Sequence, residues 1–422
     1  MNINKFLKTT IALGFLATSS FALNINDAVD IALKNNQDLQ NQDISVSQSI
    51  DEKSIATSSF LPKLDVSYGY TNINKPFPTQ LNDSGTLSTK VSYNLFNGFK
   101  DMATFDMSDL NSKASKYYYE SLKFDTILNV KKVYVNYLNS VNNKDTFEVQ
   151  YSLFKKQYED SKAKYEQGLL AKNDLLQVQV NMSNSLQNFT AAKANVQIAK
   201  SELSNILGGY DLENEKIEAL ALKDLAKFDV NNFEEKNQTI QNRSELKALD
   251  MSLQSYQANN KVLNSAFYPK VDGSLSHNNY YNDARFGKYD SGVDEQSIAS
   301  VSLTWNLFNG NSDNTKKIIN KKEILKLNNE IEKTKLALKL QLKTAKLNYE
   351  VASANYQTAD LSLEQSKENY NIVKSRFDEG VSSSTDLIDA NYLLTQAKQN
   401  YYKAYFDKYI SVETLKRVLE VQ

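Results

Sequence analysis

Apolar and polar positions along the chain follow two alternating periods. Residues 64–72 alternate strictly, with Leu64, Val66, Tyr68 and Tyr70 on one side and Asp65, Ser67, Gly69 and Thr71 on the other. Residues 87–96 do the same, and so do Val271, Gly273 and Leu275, then Ala299, Val301, Leu303, Trp305 and Leu307. A period of two over about ten residues predicts strands long enough to cross a bilayer within a barrel. Between and after them the period lengthens. Residues 99–167 and 311–379 contain neither Pro nor Gly, and each run predicts a helix roughly 100 Å long at about 1.5 Å per residue. Helices of that length need partners along a seam. Tyr151, Tyr158 and Tyr165, and Tyr356, Leu363, Tyr370 and Phe377, recur at the seven-residue step of such seams. The stripe reads as helix core.

The two halves carry the same text. Asn94-Leu95-Phe96-Asn97-Gly98 returns as Asn306-Leu307-Phe308-Asn309-Gly310, and Asp174-Leu175-Leu176 as Asp386-Leu387-Ile388. Phe60-Leu61-Pro62-Lys63 returns as Phe267-Tyr268-Pro269-Lys270 at an offset five shorter, which places about five extra residues in the second inter-strand loop. Each copy reads helix, strand, loop, strand, very long helix, turn, helix. The expected connections are 73–86 and 278–296. The organisation is a leader at 1–22, a first repeat at 23–209, a linking segment at 210–240 and a second repeat at 241–422.

The leader is a secretory signal: Lys5 and Lys8, the apolar run Ile11–Ala17, and Ser20-Phe21-Ala22 as a small-x-small cleavage site. Its removal leaves 47 basic against 50 acidic residues. Near-neutral charge gives no basic surface for nucleic acid. There is no Cys and a single His, His277, so thiolate or His-based catalysis and Cys or multi-His metal sites have nothing to stand on. No cofactor is expected. No later stretch is apolar enough for a membrane helix, so an exported chain of this kind is soluble or a β-barrel.

Four strands cannot close a barrel, because open edges are not tolerated in lipid. Two copies would supply eight, a barrel filled by its own side chains, and three supply twelve; the long helices favour the wider assembly. Tyr68, Tyr70, Tyr93 and Trp305 suit the aromatic belts at the membrane interfaces. After the second turn, Asp386 and Asp389 stand three apart on one helix face. In a trimer they would form stacked carboxylate rings, attractive to cations. Within one chain they read equally as carboxylates favouring a helix N-terminus.

The duplicated strand–loop–strand elements, the Leu-Phe-Asn-Gly exits and the Gly-x5-Asp turns resemble the TolC-like outer-membrane efflux proteins over residues 23–420. That resemblance implies an α+β channel-tunnel: a homotrimer with a twelve-stranded barrel among outer-membrane lipids, continued by a periplasmic α-helical barrel. It further implies a periplasmic adaptor docking at the tip turns, around Gly168, Leu169, Gly380 and Val381. It implies an inner-membrane pump of the RND, MFS or ABC type, and an entrance lined by Asp386, Asp389 and Asp174. It implies export of small molecules or secreted proteins, without enzymatic activity. Phe377 and Ser382 stand where the family often has Tyr and Arg, which removes a hydroxyl and a charge from the expected entrance contacts. The competing reading is a soluble periplasmic coiled-coil adaptor or scaffold.

Overall fold

The computed structural model describes residues 22–78, 81–220, 240–283, 286–287 and 292–421. Residues 1–21 of the expected leader and 221–239 of the linking segment lie outside them. The elements run α1 (Ile25–Asn35), α2 (Gln37–Ser58), β1 (Lys63–Asn72), β2 (Asp83–Phe96), α3 (Lys100–Glu166), α4 (Lys172–Ile206), α5 (Ser244–Asn264), β3 (Lys270–Tyr281), β4 (Glu295–Thr304), α6 (Ser312–Asp378) and α7 (Ser384–Leu419). The four strands and the two very long helices are where the alternation and the Pro/Gly-free runs put them. α3 and α6 have 67 residues each.

The described residues fall into two compact units, and both sequence repeats contribute to each. One gathers those within Met1–Asn36, Thr126–Phe228 and Asn348–Thr414; the other those within Gln37–Asp125, Asp229–Leu347 and Leu415–Gln422.

The first unit holds the main core. Val130, Tyr134, Leu138, Leu203, Leu207, Tyr405, Phe406 and Tyr409 pack with Ala28, Val29 and Ala32 of α1. Leu23 pairs with the 210–220 segment, its N–H donating to Lys216 O at 2.7 Å and its carbonyl accepting from Glu218 N at 2.9 Å. The Tyr134 hydroxyl sits 2.8 Å from Leu23 O and 2.7 Å from Glu218 O. Burial pushes its pKa well up. Along α4, the residues facing inward are Val178, Ser185, Ala192 and Ala199, a seven-residue step of mostly small side chains. Small residues on a seam let helix axes approach closely. The aromatic stripe is core in the second copy, where Tyr356 meets Tyr401 and Tyr405 and Leu363 is buried against Leu394. In the first copy it fades: Tyr151 stacks on Phe189, but Tyr165 is exposed.

The second unit holds the sheet, antiparallel throughout in the order β1-β2-β3-β4. The strands differ from expectation at their ends. β2 starts at Asp83 and β3 runs on to Tyr281, so the connections are 73–82 and 282–294. Tyr280 and Tyr281, expected in the connection, lie inside β3, as does His277. The five extra residues are not all loop: β3 has 12 residues to the 10 of β1. Trp305 and Leu307 fall outside β4, because β3 begins at Lys270 opposite Thr304 and offers them no partner. At each exit into a long helix two successive residues take positive φ: Gly98 and Phe99 at 71° and 64°, Gly310 and Asn311 at 55° and 65°. At Gly98 a Cβ would also meet Ser265 O at 2.8 Å, so both the conformation and the space demand glycine.

Candidate functional site

The tip of the first unit is built from two identical helix endings. Gly168 N–H donates to Tyr165 O at 2.9 Å and Leu169 N–H to Lys164 O at 2.8 Å. Gly380 N–H donates to Phe377 O at 3.0 Å and Val381 N–H to Arg376 O at 2.8 Å. This double bond pattern closes a helix only when the residue after the cap takes positive φ, and the glycines sit at 74° and 79°. The apolar residue that follows normally folds back on the helix. Here it faces outward: Leu169 is 72% exposed and Val381 65%.

α7 starts with a reciprocal cap. Asp386 N–H donates to Ser383 Oγ at 3.1 Å, and Ser383 N–H donates to Asp386 Oδ2 at 2.9 Å. That backbone bond, then the Ser383 hydroxyl and the Arg376 charge, hold the Asp386 carboxyl below the usual range. Within one chain, Asp386 thus caps the N-terminus of α7. Asp389 lies one turn on and, like Asp386, is exposed. Between them Ile388 is buried against Phe154 and Val178. This anchor, with Gln157 Nε2 donating to Ser384 Oγ at 2.7 Å, turns both carboxylates away from the packed side. Asp174 is half-buried and accepts from Asn173 Nδ2 at 2.9 Å. Among the described residues no hydrogen bond joins it to Asp386 or Asp389. Phe377 lies under Lys164, whose Nζ is 5.3 Å from the ring centroid. Ser382 N–H donates to Arg376 O at 3.1 Å.

The sheet has two unlike faces, fixed by register. Leu64 lies opposite Val91, Val91 opposite Leu275 and Leu275 opposite Ala299. With Val66, Val301 and Leu303 they form an apolar band that is solvent-exposed in the single chain, Val301 at 73%; nearer the loop end the same face carries Thr89, His277, Ser297 and Glu295. Tyr68, Tyr70 and Tyr281 stand on this face at the loop end, and Tyr93 at the helix end. Trp305 follows β4, its Nε1 donating to Phe267 O at 3.2 Å. The other face is polar: Asp65 lies opposite Lys90 and Lys90 opposite Ser276, and Ser274 and Ser300 share a hydrogen bond of 2.8 Å. β1 and β4 are the edges, with no further strand on either among the described residues.

Sequence reasoning missed a buried charge cluster in the second unit. Arg243 donates to both Glu245 oxygens, at 2.9 and 2.6 Å, and to Val418 O at 2.5 Å. Arg417 donates to Asp125 at 2.6 Å and to Glu245 at 2.7 Å. Glu420 accepts from Ser244 N and Oγ. Burial opposes the charge on Glu245, but the two guanidiniums win and hold its pKa at about 2. Glu420 moves the other way, raised by burial. No local signal could have revealed it, since Arg417 lies 292 residues from Asp125.

The profile of a known family, described as outer membrane efflux protein, matches residues 28–209 and 236–420. The outer membrane protein TolC of Vibrio cholerae is 21% identical over 420 residues, covering 97% of this chain and 93% of that protein. The crystal structure of the CmeC outer membrane channel of Campylobacter jejuni superposes with a TM-score of 0.84 at 20% identity, over 99% of this chain and 93% of that one. The open-state MtrE outer membrane channel of Neisseria gonorrhoeae gives 0.76 at 17%, over 94% and 89%.

Proposed function

Because this chain belongs to the outer membrane efflux protein family, we propose that it is the exit duct of a tripartite efflux pump or a type I secretion system. The outer membrane is its place, with the helical part reaching into the periplasm. The observation that carries the reading is the sheet. An exposed apolar face backed by a polar one, with two open edges, is stable only where lipid covers the first, water fills the second and like strands close the rest. A soluble scaffold would leave that apolar face in water.

Three copies close a twelve-stranded barrel whose belts include Tyr68, Tyr70, Tyr93 and Trp305. α6 supports lateral contact between copies. It buries Leu338, Ala345 and Ala352 at a seven-residue step and exposes Leu340, Leu347 and Leu361 on a second stripe, with Ala354 between the last two. Positions two apart on a helix differ by about 200°, so the helix carries two seams, one satisfied within the chain and one left for a neighbour. Leu169 and Val381, held outward beside Gly168 and Gly380, give the tip an apolar contact for the helical hairpin of a periplasmic adaptor. The adaptor in turn links an inner-membrane pump of the RND, MFS or ABC type.

Asp386 and Asp389 form the carboxylate rings of the entrance, with Asp174 on the neighbouring helix. Tripled, six exposed carboxylates favour cations and bind divalent ions that obstruct the pore. Planar-bilayer recording of Asp386→Asn/Asp389→Asn should show reduced cation selectivity and relief of divalent block. Unchanged selectivity and block would remove both residues from the role.

A further inference from the structure

A cavity of about 420 Å³ opens between α3, α4 and α7 in the first unit. Its lining is unusual for a helix junction: Asn139 and Asn143 from α3, Asn188 and Asn195 from α4, Gln399 and Asn400 from α7. Asn139 Oδ1 is buried and has no hydrogen-bond partner. A buried acceptor left unmatched is costly; this one is closed to solvent and meets a bound molecule only when the Asn139 amide turns toward the groove. Phe147 adds one aromatic ring and Lys403 one charge; no carboxylate lines the space.

Helix geometry fixes which way the groove looks. On α3, Leu138 and Val141 line a separate cavity of about 300 Å³ with Ile217 and Leu220 of the 210–220 segment. At about 100° per residue, Asn139 and Asn143 project from the opposite side of α3. The amide groove therefore opens on the side of the helix layer away from that segment. On the channel reading, with the 210–220 segment taken to lie on the outside of the tube, this is the side facing the conduit.

We propose that the groove is a conduit-facing site for a polyhydroxylated ligand, an oligosaccharide that is neutral or acidic. Side-chain amides present a donor and an acceptor together, which suits vicinal hydroxyls. An aromatic ring offers a platform for the C–H face of a sugar. Lys403 extends the range to sugar acids, and the lack of any carboxylate disfavours cationic cargo. The volume lies within the range of small-molecule sites, about 300–1,000 Å³. The assignment of the groove to the conduit rests on the channel reading; the ligand class rests on the lining.

The test uses the detergent-purified full assembly, with maltotriose as neutral probe, trigalacturonate as acidic probe and pentaglycine as peptide control. Binding is read by saturation-transfer NMR, and current interruptions in planar bilayers. Maltotriose is expected to bind saturably and to interrupt the current reversibly. Asn139→Leu and Asn143→Leu should each weaken it about tenfold, the loss of one well-made hydrogen bond. Lys403→Gln should weaken only trigalacturonate. Should Asn139→Leu fail to fold, Asn188→Leu and Asn195→Leu, on exposed positions, carry the same expectation. No saturable sugar binding, binding that ignores all these substitutions, or pentaglycine bound in preference overturns the proposal. A wild-type assembly that conducts normally but ignores maltotriose sinks this inference alone. One that binds the sugar with the expected variant pattern yet carries no current sinks the channel reading and leaves the ligand assignment standing.

Discussion

Asp386 is asked to do two things, and its substitution must separate them. Its carboxylate accepts the Ser383 N–H that opens α7, and on the proposed reading it also charges the entrance. Asparagine keeps an acceptor oxygen and removes the charge, so Asp386→Asn tests the electrostatic role without unwinding the first turn. Part of this was legible in the text, since Ser383-x-x-Asp386 before an apolar run is a capping signature. The Arg243–Glu245–Arg417–Glu420 cluster was not, because its members meet only through tertiary folding. Removing one partner of a buried charge group strands the others. Arg417→Met should therefore cost about 3–5 kcal/mol at neutral pH, read as a lower unfolding temperature by circular dichroism. The pH dependence has a definite sign. Glu245 is held at about 2, below its usual value near 4.5, so its contribution is complete above about pH 4.5 and fades as pH falls towards 2. Glu420, raised by burial, acts in the opposite sense: its protonation on acidification relieves part of the strain. In Arg417→Met the acid-side loss should flatten, and an unchanged profile would show that Arg417 does not govern the pair.

Among the elements, the two long helices were readable almost to the residue and the strands were not; the single helix expected before β1 is two, α1 and α2. A long run without Pro or Gly announces α3 and α6, and Gly98, Gly168, Gly310 and Gly380 mark their limits. Strand ends are settled by the neighbour rather than by the strand itself. Asp83-Ser84-Gly85-Thr86 has no apolar alternation, yet it extends β2 because Asn72, Thr71, Tyr70 and Gly69 of β1 lie opposite. Trp305 and Leu307 do alternate, yet they leave the sheet where β3 runs out. The two faces of β4 give a paired experiment. A cation on the lipid side of a barrel costs about 2–4 kcal/mol near the bilayer midplane, while the water side tolerates it. Val301→Lys should abolish the heat-modifiable outer-membrane species on gels, and Ser302→Lys, one residue along on the polar face, should leave it intact. Equal effects of the two would refute the assignment of faces.

On the proposed reading, the whole molecule depends on closure by copies of itself. The open edges at β1 and β4 and the second stripe of α6 make the same demand in different chemistry, backbone hydrogen bonds in one case and leucine packing in the other. Leu340→Glu/Leu347→Glu places like charges on the free stripe without touching the buried Leu338–Ala345–Ala352 seam. It should lower the fraction of trimer in native mass spectrometry of detergent extracts by tenfold or more while leaving helix content unchanged. Trimers persisting undiminished would assign that stripe to something other than a sibling chain. The duplication in the text foretold the strands and the long helices; the expected number of chains came from strand counting, which allows two or three copies, together with the length of the helices.

The equality of α3 and α6, 67 residues apiece, restricts how such a chain can change over generations. Lys164 reaches the Phe377 ring, so the two legs end level with each other. A heptad inserted into one leg alone would lift one foot about 10 Å above its twin. Lineages that grow or shrink this tunnel must therefore alter both halves of the gene by the same amount, and comparison of orthologues should find length differences in these helices arriving as matched pairs.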